Sequence, residues 1–456
     1  MKANWLPISA AVALALGSVT ASAVDFHGFF RAGAQLNTQG GEVYCSGNGT
    51  SGHLVGRLAD ECDTYAEFVL SQEVYNKDNN KWTVNTLLAY GTTEGNRDLQ
   101  GNSWQGVAGS GDTWSGQRSS LREVYAKYDT DSGYSIWAGK RYYQRKDIHI
   151  LDLYYLNNSG HGAGIENIDV GMGNLNFAVI KWANTGKDGA GTVYNRNVYK
   201  IDARWNAIPL GVVGNLDASV IYGLPFISDK QKKDEDNKDN NRANQANSGA
   251  LITLDLGSSF DGDDVAVMNH FVAQYGTNGF ADIGNIGNHA GDNYTYDTHV
   301  QGVSLIDWGT LDAGNFGLGY SFIWAHLNSD KAHNQPAATA WTTKRSGWNY
   351  SIVIRPEYKW TEFTRTTLEL GYSKRKTNYG NNDNNTQVVP KDDNKDPDLY
   401  KVTLAQQFTP GKGFWTRPAI RFYVSYLSGK QFGYRSKNDD KHNYQVTVGT
   451  QVEAFW

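Results

Sequence analysis

Aromatic and charged side chains stand two residues apart in several stretches of this sequence. In VDFHGFFRAG (residues 24–33), Phe29 and Arg31 flank Phe30. In an extended strand, side chains two residues apart share a face, so Phe29 and Arg31 lie together and Phe30 points to the other side. The same spacing joins Tyr65 with Glu67 and Glu453 with Phe455. A flat ring beside a charge suits a carbohydrate, because the ring covers apolar C–H patches of a pyranose and the charged group bonds its hydroxyls.

Hydrolysis is the alternative chemistry for these residue types. The candidates are His149 with Asp152, or the carboxylates of Glu67 and Glu73, because glycosidases also place aromatics beside acids. Glu67 and Glu73 would lie roughly 20 Å apart along one strand. The sequence contains no nucleophile elbow, zinc motif or recognisable triad. These observations disfavour an enzyme and imply no cofactor or metal.

The elements that must position these residues are alternating strands. Two clear examples are LYKVTLAQQF and AIRFYVSYL, where apolar residues alternate with charged or polar ones. Such stretches run about ten residues, the length that crosses a bilayer at a tilt. A large sheet loses its edges by closing, and in lipid it must close, because an unpaired backbone group has no water to bind. We therefore predict an all-β, transmembrane antiparallel barrel whose apolar face meets lipid and whose charged face lines a pore.

Composition and targeting agree with an exported barrel. The 456 residues include 27 Tyr, 14 Trp and 50 Gly but only 9 Pro, as many short strands joined by polar turns require. Residues 1–23 read as a signal peptide, with Lys2, a short apolar run and cleavage before Val24, which leaves residues 24–456 as one barrel domain. Polar tracts such as 228–249 and 378–398 read as outside loops. The net charge of -5 gives no basic excess for binding nucleic acid.

The chain has two cysteines, Cys45 and Cys62. In an exported protein we expect them to form one disulfide. Closing a loop of this size stabilises a fold by about 3 kcal/mol in the chain-entropy model.

The sequence resembles the maltoporins, sugar-specific porins of bacterial outer membranes. The matching stretches are VDFHGFFRAG, ECDTYAEFVLSQEV, IWAGKRYYQRKDIHILDLYY, SGHGAGIENIDVG, IRPEYKWTEF, LYKVTLAQQF, RPAIRFYVSY and QVEAFW. They span the chain from end to end, although residues 176–345 match poorly. The resemblance implies an eighteen-stranded barrel, a homotrimer, and a third loop that folds inward to constrict each pore.

The resemblance also implies the site residues. Sugars would follow a lumenal line of aromatics formed by Phe29, Tyr65, Trp114, Phe271, Trp360 and Phe455, with Tyr154 facing that line at the constriction. The charged partners would be Arg31, Arg57, Glu67, Arg122, Arg145, Asp147 and Asp152. Trp114 would reach into a neighbouring subunit's pore, and Trp104 is the alternative for that place.

Alternation supports this assignment unevenly. It agrees for Phe29, Tyr65 and Phe455, but it is ambiguous for Phe271 and argues against Trp360, which a bulge or strand end would have to re-aim. The sequence also departs from the family pattern, with Phe29 and Phe455 where Tyr and Trp are usual and Lys146 where His is usual. These departures concern the preferred sugar and chain length.

The expected function is facilitated diffusion of maltose or maltodextrins across the outer membrane. The first alternative is a non-specific diffusion porin whose aromatics are structural, and the second is the hydrolase. Besides sugar and outer-membrane lipid, a bacteriophage or a periplasmic binding protein is a possible partner.

Overall fold

The fold was examined in a computed structural model, which describes residues 24–41, 43–46, 53–91, 118–187, 193–226, 248–286, 290–291, 294, 299–329, 345–379, 398–430 and 443–456. Its strands are β1 (Asp25–Asn37), β2 (Tyr65–Lys77), β3 (Asn80–Gly91), β4 (Arg118–Asp129), β5 (Ser135–Arg141), β6 (Lys146–Ile148), β7 (Leu153–Leu156), β8 (Gly160–Asp169), β9 (Asn174–Lys187), β10 (Val193–Pro209), β11 (Asn215–Phe226), β12 (Gly249–Asp261), β13 (Val265–Thr277), β14 (Val300–Ala313), β15 (Phe316–Ser329), β16 (Arg345–Lys359), β17 (Thr364–Tyr379), β18 (Asp398–Phe408), β19 (Ala419–Ser428) and β20 (Tyr444–Phe455). Short 3₁₀ helices cover His149–Leu151, Gly211–Val213 and Asn278–Gly284.

Eighteen of these strands form one closed antiparallel sheet. Each strand pairs with the next along the chain, except that β5 pairs with β8, and β1 pairs with both β2 and β20. Strands β6 and β7 form a separate hairpin between β5 and β8. The predicted eighteen-stranded barrel is therefore confirmed. No helix in the described ranges is long and apolar enough to cross a membrane.

The burial pattern of the wall is inverted relative to a soluble protein. On β18, the charged Lys401 and the polar Thr403 are buried, whereas Val402 and Leu404 are 42% and 48% exposed. Strand β19 repeats the pattern, with Arg421 buried between exposed neighbours. A closed sheet has one face inside, so its charged face is the inner one and its apolar face is the outer one. This is the arrangement that lipid requires.

Two segments between strands contact the inner face of the wall. In the first, formed by residues 43–46 and 53–63, the Leu58 N–H donates to Glu369 at 3.0 Å and the Leu58 carbonyl accepts from Lys401 at 2.6 Å. This segment lies so close to β17 that a Cβ on Gly371 would be 1.9 Å from the carbonyl oxygen of Val55. Any larger residue at position 371 would displace it.

The second segment, residues 142–159, includes the β6–β7 hairpin. Its apolar side chains join one buried cluster with wall residues of β10 to β16, formed by Ile148, Ile150, Leu151, Leu153, Leu156, Val198, Ile221, Leu251, Val272, Ile306, Ile323 and Val353. It is also bonded to the first segment, because His53 N–H donates to Leu151 O at 2.6 Å and Arg57 N–H donates to Ile150 O at 3.0 Å. Its apolar side is thus occupied by the wall from β10 to β16.

Most connections alternate in length around the barrel, the exceptions being the short 188–192 and the longer 409–418. The connections at one end are short, such as 78–79, 130–134 and 170–173, and the start of β1 and the end of β20 lie there too. Longer connections, including 38–64, 92–117 and 142–159, leave from the other end. We call these the short-turn end and the long-loop end.

Candidate functional site

The aromatic and charged residues that stand two apart on β1, β2 and β20 lie next to one another in the sheet. Phe29 on β1 lies opposite Glu67 on β2 and Phe455 on β20. Arg31 lies opposite Tyr65 and Glu453 in the same two pairings. Directly opposite residues share a face, so these side chains form one patch on the inner wall.

Aromatic rings continue from this patch toward the short-turn end. The ring centroids of Phe29 and Tyr65 are 6.2 Å apart, and His149 lies 6.4 Å from both Phe29 and Phe455. Trp415, in the connection after β18, is 5.5 Å from His149. We call these five residues the aromatic line. Their spacing of about 5–6 Å is that of neighbouring aromatic groups in contact.

The sequence did not assign His149 or Trp415 to the aromatic line, because neither lies in an alternating strand, and His149 was considered only as a hydrolase candidate. A signal was present for Trp415, since Arg417 follows two residues later. This is the spacing of Phe29 and Arg31. In the structure the Arg417 guanidinium lies 5.5 Å from the ring centroid of Phe455, so it flanks the aromatic line.

A buried network of charges runs alongside the aromatic line. Arg31 lies 2.9 Å from Asp152, 2.9 Å from Asp63 and 3.0 Å from Glu61. Arg57 lies 2.8 Å from Glu453 and also pairs with Glu61. Because each buried charge has a partner of the opposite sign, this side of the interior can be both charged and ordered.

The network fixes the protonation of its loop residues. Burial would raise the pKa of Asp152, but the guanidinium groups of Arg31 and Arg57 hold it well below its usual range. Asp60 behaves similarly, because Lys401 and a 2.9 Å bond with His53 outweigh its burial and lower its pKa. Both carboxylates are therefore ionised at neutral pH.

A second group of predicted residues lies beside the hairpin. The guanidinium of Arg145 stacks on Tyr142 at 3.6 Å and on Tyr154 at 4.4 Å from the ring centroids. Burial raises the pKa of Tyr142 to about 12, while the nearby charge of Arg122 opposes this shift.

Arg122 is the extra residue of a β-bulge, since Leu87 pairs with Glu123 and Leu88 with Leu121. Bulges re-aim side chains, which explains how Arg122 departs from the alternation of β4.

Two further carboxylates lie at the edges of these groups. Glu67 accepts a hydrogen bond from the Tyr65 hydroxyl, which fixes the ring of Tyr65. The Asp147 side chain is 41% exposed and lies 3.9 Å from His149. Burial raises the pKa of Asp147, which His149 only partly offsets.

The hairpin is tied to the opposite wall by Lys146. Its ammonium group lies 2.5 Å from Asp217 on β11 and 2.6 Å from Asp255 on β12. Asp255 also accepts from Tyr155 Oη at 2.9 Å and lies 2.8 Å from His270 Nδ1. The residue that departs from the family pattern thus joins the hairpin to a buried carboxylate.

The structure corrects two assignments of the aromatic line. Phe271 lies opposite Leu256 and Asp307, on the face of β13 away from His270 and Val272, and is 47% exposed on the outer wall. The period that was ambiguous in the sequence is therefore resolved against it.

Trp360 is also outside the site. It is 62% exposed in the turn after β16, packs edge-on against outer-face Tyr358 at 4.5 Å, and donates from Nε1 to Thr366 at 2.8 Å. The strand ends without turning this ring inward. Trp114 and its alternative Trp104 lie outside the described residues.

The hydrolase candidates take other partners. His149 Nε2 lies 2.9 Å from Arg57 Nη1 and 3.6 Å from Glu453, whereas Asp152 is bound to Arg31. Within the described ranges, His53, Glu61 and Asp152 are grouped closely enough to hold a metal ion. Arg31 pairs with Glu61 and Asp152, and Arg57 pairs with Glu61. The positive charges of these two arginines would repel a metal cation.

Cys45 and Cys62 form a disulfide, as predicted. Both sulfur atoms lie near the side-chain amide of Gln35 on β1, at 3.4 and 3.2 Å. The disulfide therefore fixes the first segment, which carries Arg57 and Glu61, against the inner wall.

Comparison with known proteins points to one family. A family model described as LamB porin matches residues 24–456. A protein named Maltoporin from Hahella chejuensis (strain KCTC 2396) is 32% identical over 458 residues, which cover 99% of this chain and 97% of the relative.

Among solved structures, OpdL of Pseudomonas aeruginosa matches with a TM-score of 0.44 and 12% identity over 95% of this chain and 98% of its own. OccAB1 of Acinetobacter baumannii matches with a TM-score of 0.47 and 10% identity over 96% and 99%. TM-scores and sequence identities this low carry no information about the function of this chain.

Proposed function

The chain belongs to the LamB porin family, and on this premise we propose that it is an outer-membrane channel for facilitated diffusion of maltose and maltodextrins. The observation that carries the proposal is the aromatic line of Phe29, Tyr65, His149, Trp415 and Phe455 with the charge network beside it.

The chemistry of a glucan matches this surface. Pyranose rings present apolar C–H faces that stack on aromatic rings, and equatorial hydroxyls that carboxylates and guanidinium groups bond. Asp152 and Asp147 supply acceptors, and Arg145 and Arg417 supply donors. Similar weak sites in sequence let a chain enter, slide and leave, whereas one tight site would stop its flux.

The hairpin segment 142–159 is the proposed constriction. Its apolar side packs on the wall from β10 to β16. Its polar residues reach the other side, with Asp152 on Arg31 of β1 and His149 near Glu453 of β20. These contacts support a pathway between the hairpin and the β20–β1–β2 wall. Assembly as a homotrimer, with Trp114 or Trp104 reaching a neighbouring pore, is also part of the proposal.

Ion current through the purified protein in a planar lipid bilayer tests this function. Malto-oligosaccharides should reduce the current saturably, and longer chains should block at lower concentration because they cover more of the aromatic line. A current that no sugar alters would favour a non-specific diffusion porin. Release of reducing ends would favour a hydrolase.

Matched variants locate the block. Phe29→Ala and Tyr65→Ala should weaken sugar block by up to about tenfold, since an aromatic stacking contact contributes up to about 1.5 kcal/mol, and about 1.4 kcal/mol is a factor of ten. Their open conductance should stay the same or rise. Phe271→Ala removes an outer-face ring and should leave sugar block unchanged. Parent-like block in both inner-face variants would show that the aromatic line is misassigned.

A further inference from the structure

Two lysines and a histidine lie side by side on the outer wall near the long-loop end. Lys140 on β5 is directly opposite His161 on β8, and His161 is directly opposite Lys181 on β9. Lys140 is one residue from the end of β5, and His161 is one residue from the start of β8. We call these three residues the cationic row.

The cationic row faces outward. On β5, Lys140 follows the parity of Ile136, which is 45% exposed, whereas Trp137 on the other parity is buried. On β9, Lys181 follows the parity of Phe177 and Val179, which are 43% and 47% exposed. His161 and Lys181 are themselves exposed. The row therefore marks the boundary between an apolar outer band and the long-loop end.

The positive charge of the row is not neutralised by the described side chains. Lys140 donates from Nζ to the carbonyl oxygen of Leu121 at 2.7 Å, which lays its aliphatic part along the outer wall. Among the described residues, none of the three forms an ion pair within 4.0 Å. Directly opposite side chains are about 5 Å apart at Cβ, so one anionic group can approach all three.

Aromatic residues also lie at this boundary. On the outer face near the long-loop end, Tyr400 and Tyr426 are 6.2 Å apart, and Tyr426 and Tyr444 are 5.5 Å apart. Lys374, also near this end, lies opposite the carboxylate-bearing Asp398. Aromatic residues are common at bilayer interfaces whatever the lipid, whereas a cluster of basic residues favours lipids with anionic headgroups.

We propose that the cationic row binds the phosphate groups of an anionic outer-leaflet lipid, one whose headgroup carries phosphate on sugar. The long-loop end would face the outside of the cell, because outer-membrane barrels have short periplasmic turns and longer extracellular loops, and the proposal rests on the proposed outer-membrane function. Phosphate accepts charge-assisted hydrogen bonds from lysine and histidine, and the apolar band below the row packs against the acyl chains. This lipid-facing site is separate from the sugar pathway.

The test uses the full-length protein in detergent, titrated with diphosphorylated lipid A and with lipid A stripped of both phosphates. The parent should bind the diphosphorylated form at least about tenfold more tightly, because each lysine near an anionic lipid surface adds about 1 kcal/mol of binding free energy. Lys140→Gln/Lys181→Gln should lose most of this preference, and Lys140→Arg/Lys181→Arg should keep it.

The control is Lys77→Gln/Lys81→Gln, which removes two lysines near the short-turn end, Lys77, which is exposed, and Lys81, which pairs with Glu73 at 3.1 Å. It should bind both lipids as the parent does. Equal binding of both lipids by the parent, or parent-like preference in Lys140→Gln/Lys181→Gln, would overturn the proposal. Sugar block of the current should be unaffected by these variants, so a failed sugar channel and a failed lipid site give different results.

Discussion

Trp415 and Trp360 show how the position of one ring decides its role. Trp360 directly follows β16, and Trp415 lies in the connection after β18. Trp415 is 5.5 Å from His149 inside the barrel, whereas Trp360 packs on outer-face Tyr358. An outer-face tryptophan near a strand end anchors the barrel at the membrane interface. An inner one beside Arg417 has the pairing of ring and charge that suits a sugar.

Trp415→Ala should therefore raise the maltohexaose concentration for half-maximal current block by about tenfold, the equivalent of one lost stacking contact. Trp360→Ala is the matched control and should leave the block unchanged. A loss of block in Trp360→Ala with none in Trp415→Ala would reverse the assignment.

Asp152 gives a pH-dependent test of the charge network. Its pKa is lowered, despite burial, by Arg31 and Arg57, so it lies below the value of about 3.9 expected in the unfolded chain. A lowered carboxyl pKa stabilises the fold above the unfolded pKa, and this stabilisation is lost as the pH falls through the folded pKa.

The free energy of unfolding of Asp152→Asn should thus be lower than that of the parent by about 1–3 kcal/mol at neutral pH. The difference should stay constant down to about pH 5 and shrink below about pH 4. Urea titrations in lipid vesicles measure it. A difference that already disappears between about pH 7 and pH 5 would mean that Asp152 is not held ionised by the two arginines.

The hairpin is the element on which the pathway depends. Its apolar side chains bury against β10 to β16, and Lys146 bonds it to Asp217 and Asp255. Hydrophobic burial sets which side of the hairpin faces the wall, and the two ion pairs fix its position along the wall.

Lys146→Met should free this end of the hairpin and leave Asp255 with fewer donors. We expect larger fluctuations of the open-channel current and weaker sugar block, because the distance between the hairpin and Phe29 is no longer fixed. Lys146→Arg should behave like the parent, as should Lys81→Met at the distant short turn. Steady parent-like current in Lys146→Met would contradict a tether at this position.

Alternation in the sequence predicted the elements well, and it predicted the site only where the site lies on regular strands. Phe29, Tyr65 and Phe455 share the inner face with Arg31 and Glu453, as their two-residue spacing requires. The number of strands came from the resemblance, because periodicity does not count strands. The two-residue period was ambiguous for Phe271 and argued against Trp360, and both residues are exposed on the outer wall.

The place of His149 and Trp415 in the aromatic line could not be predicted, for a physical reason. They lie in connections whose conformation is set by contacts far apart in sequence, such as the Phe414 N–H on Asp312 and the Arg57 guanidinium on His149. Local periodicity carries no information about such contacts. The pairing of a ring with a charge two residues away persists in Trp415 and Arg417, and it would have been the better guide.

The whole molecule divides its two faces between two environments. The outer face is apolar, with a cationic row at one boundary, and the inner face holds paired charges and the aromatic line. The wall of the eighteen-stranded barrel bonds polar groups of the inner segments, as Glu369 and Lys401 do for the backbone of Leu58.

A crystal structure of the protein soaked with maltohexaose tests the sugar pathway most directly. The account predicts successive pyranose rings stacked on Tyr65, Phe29, Phe455 and Trp415, with hydroxyls bonded to Asp147 and Arg145. Sugar bound only elsewhere, or no sugar on these rings at a concentration that blocks the current, would contradict it.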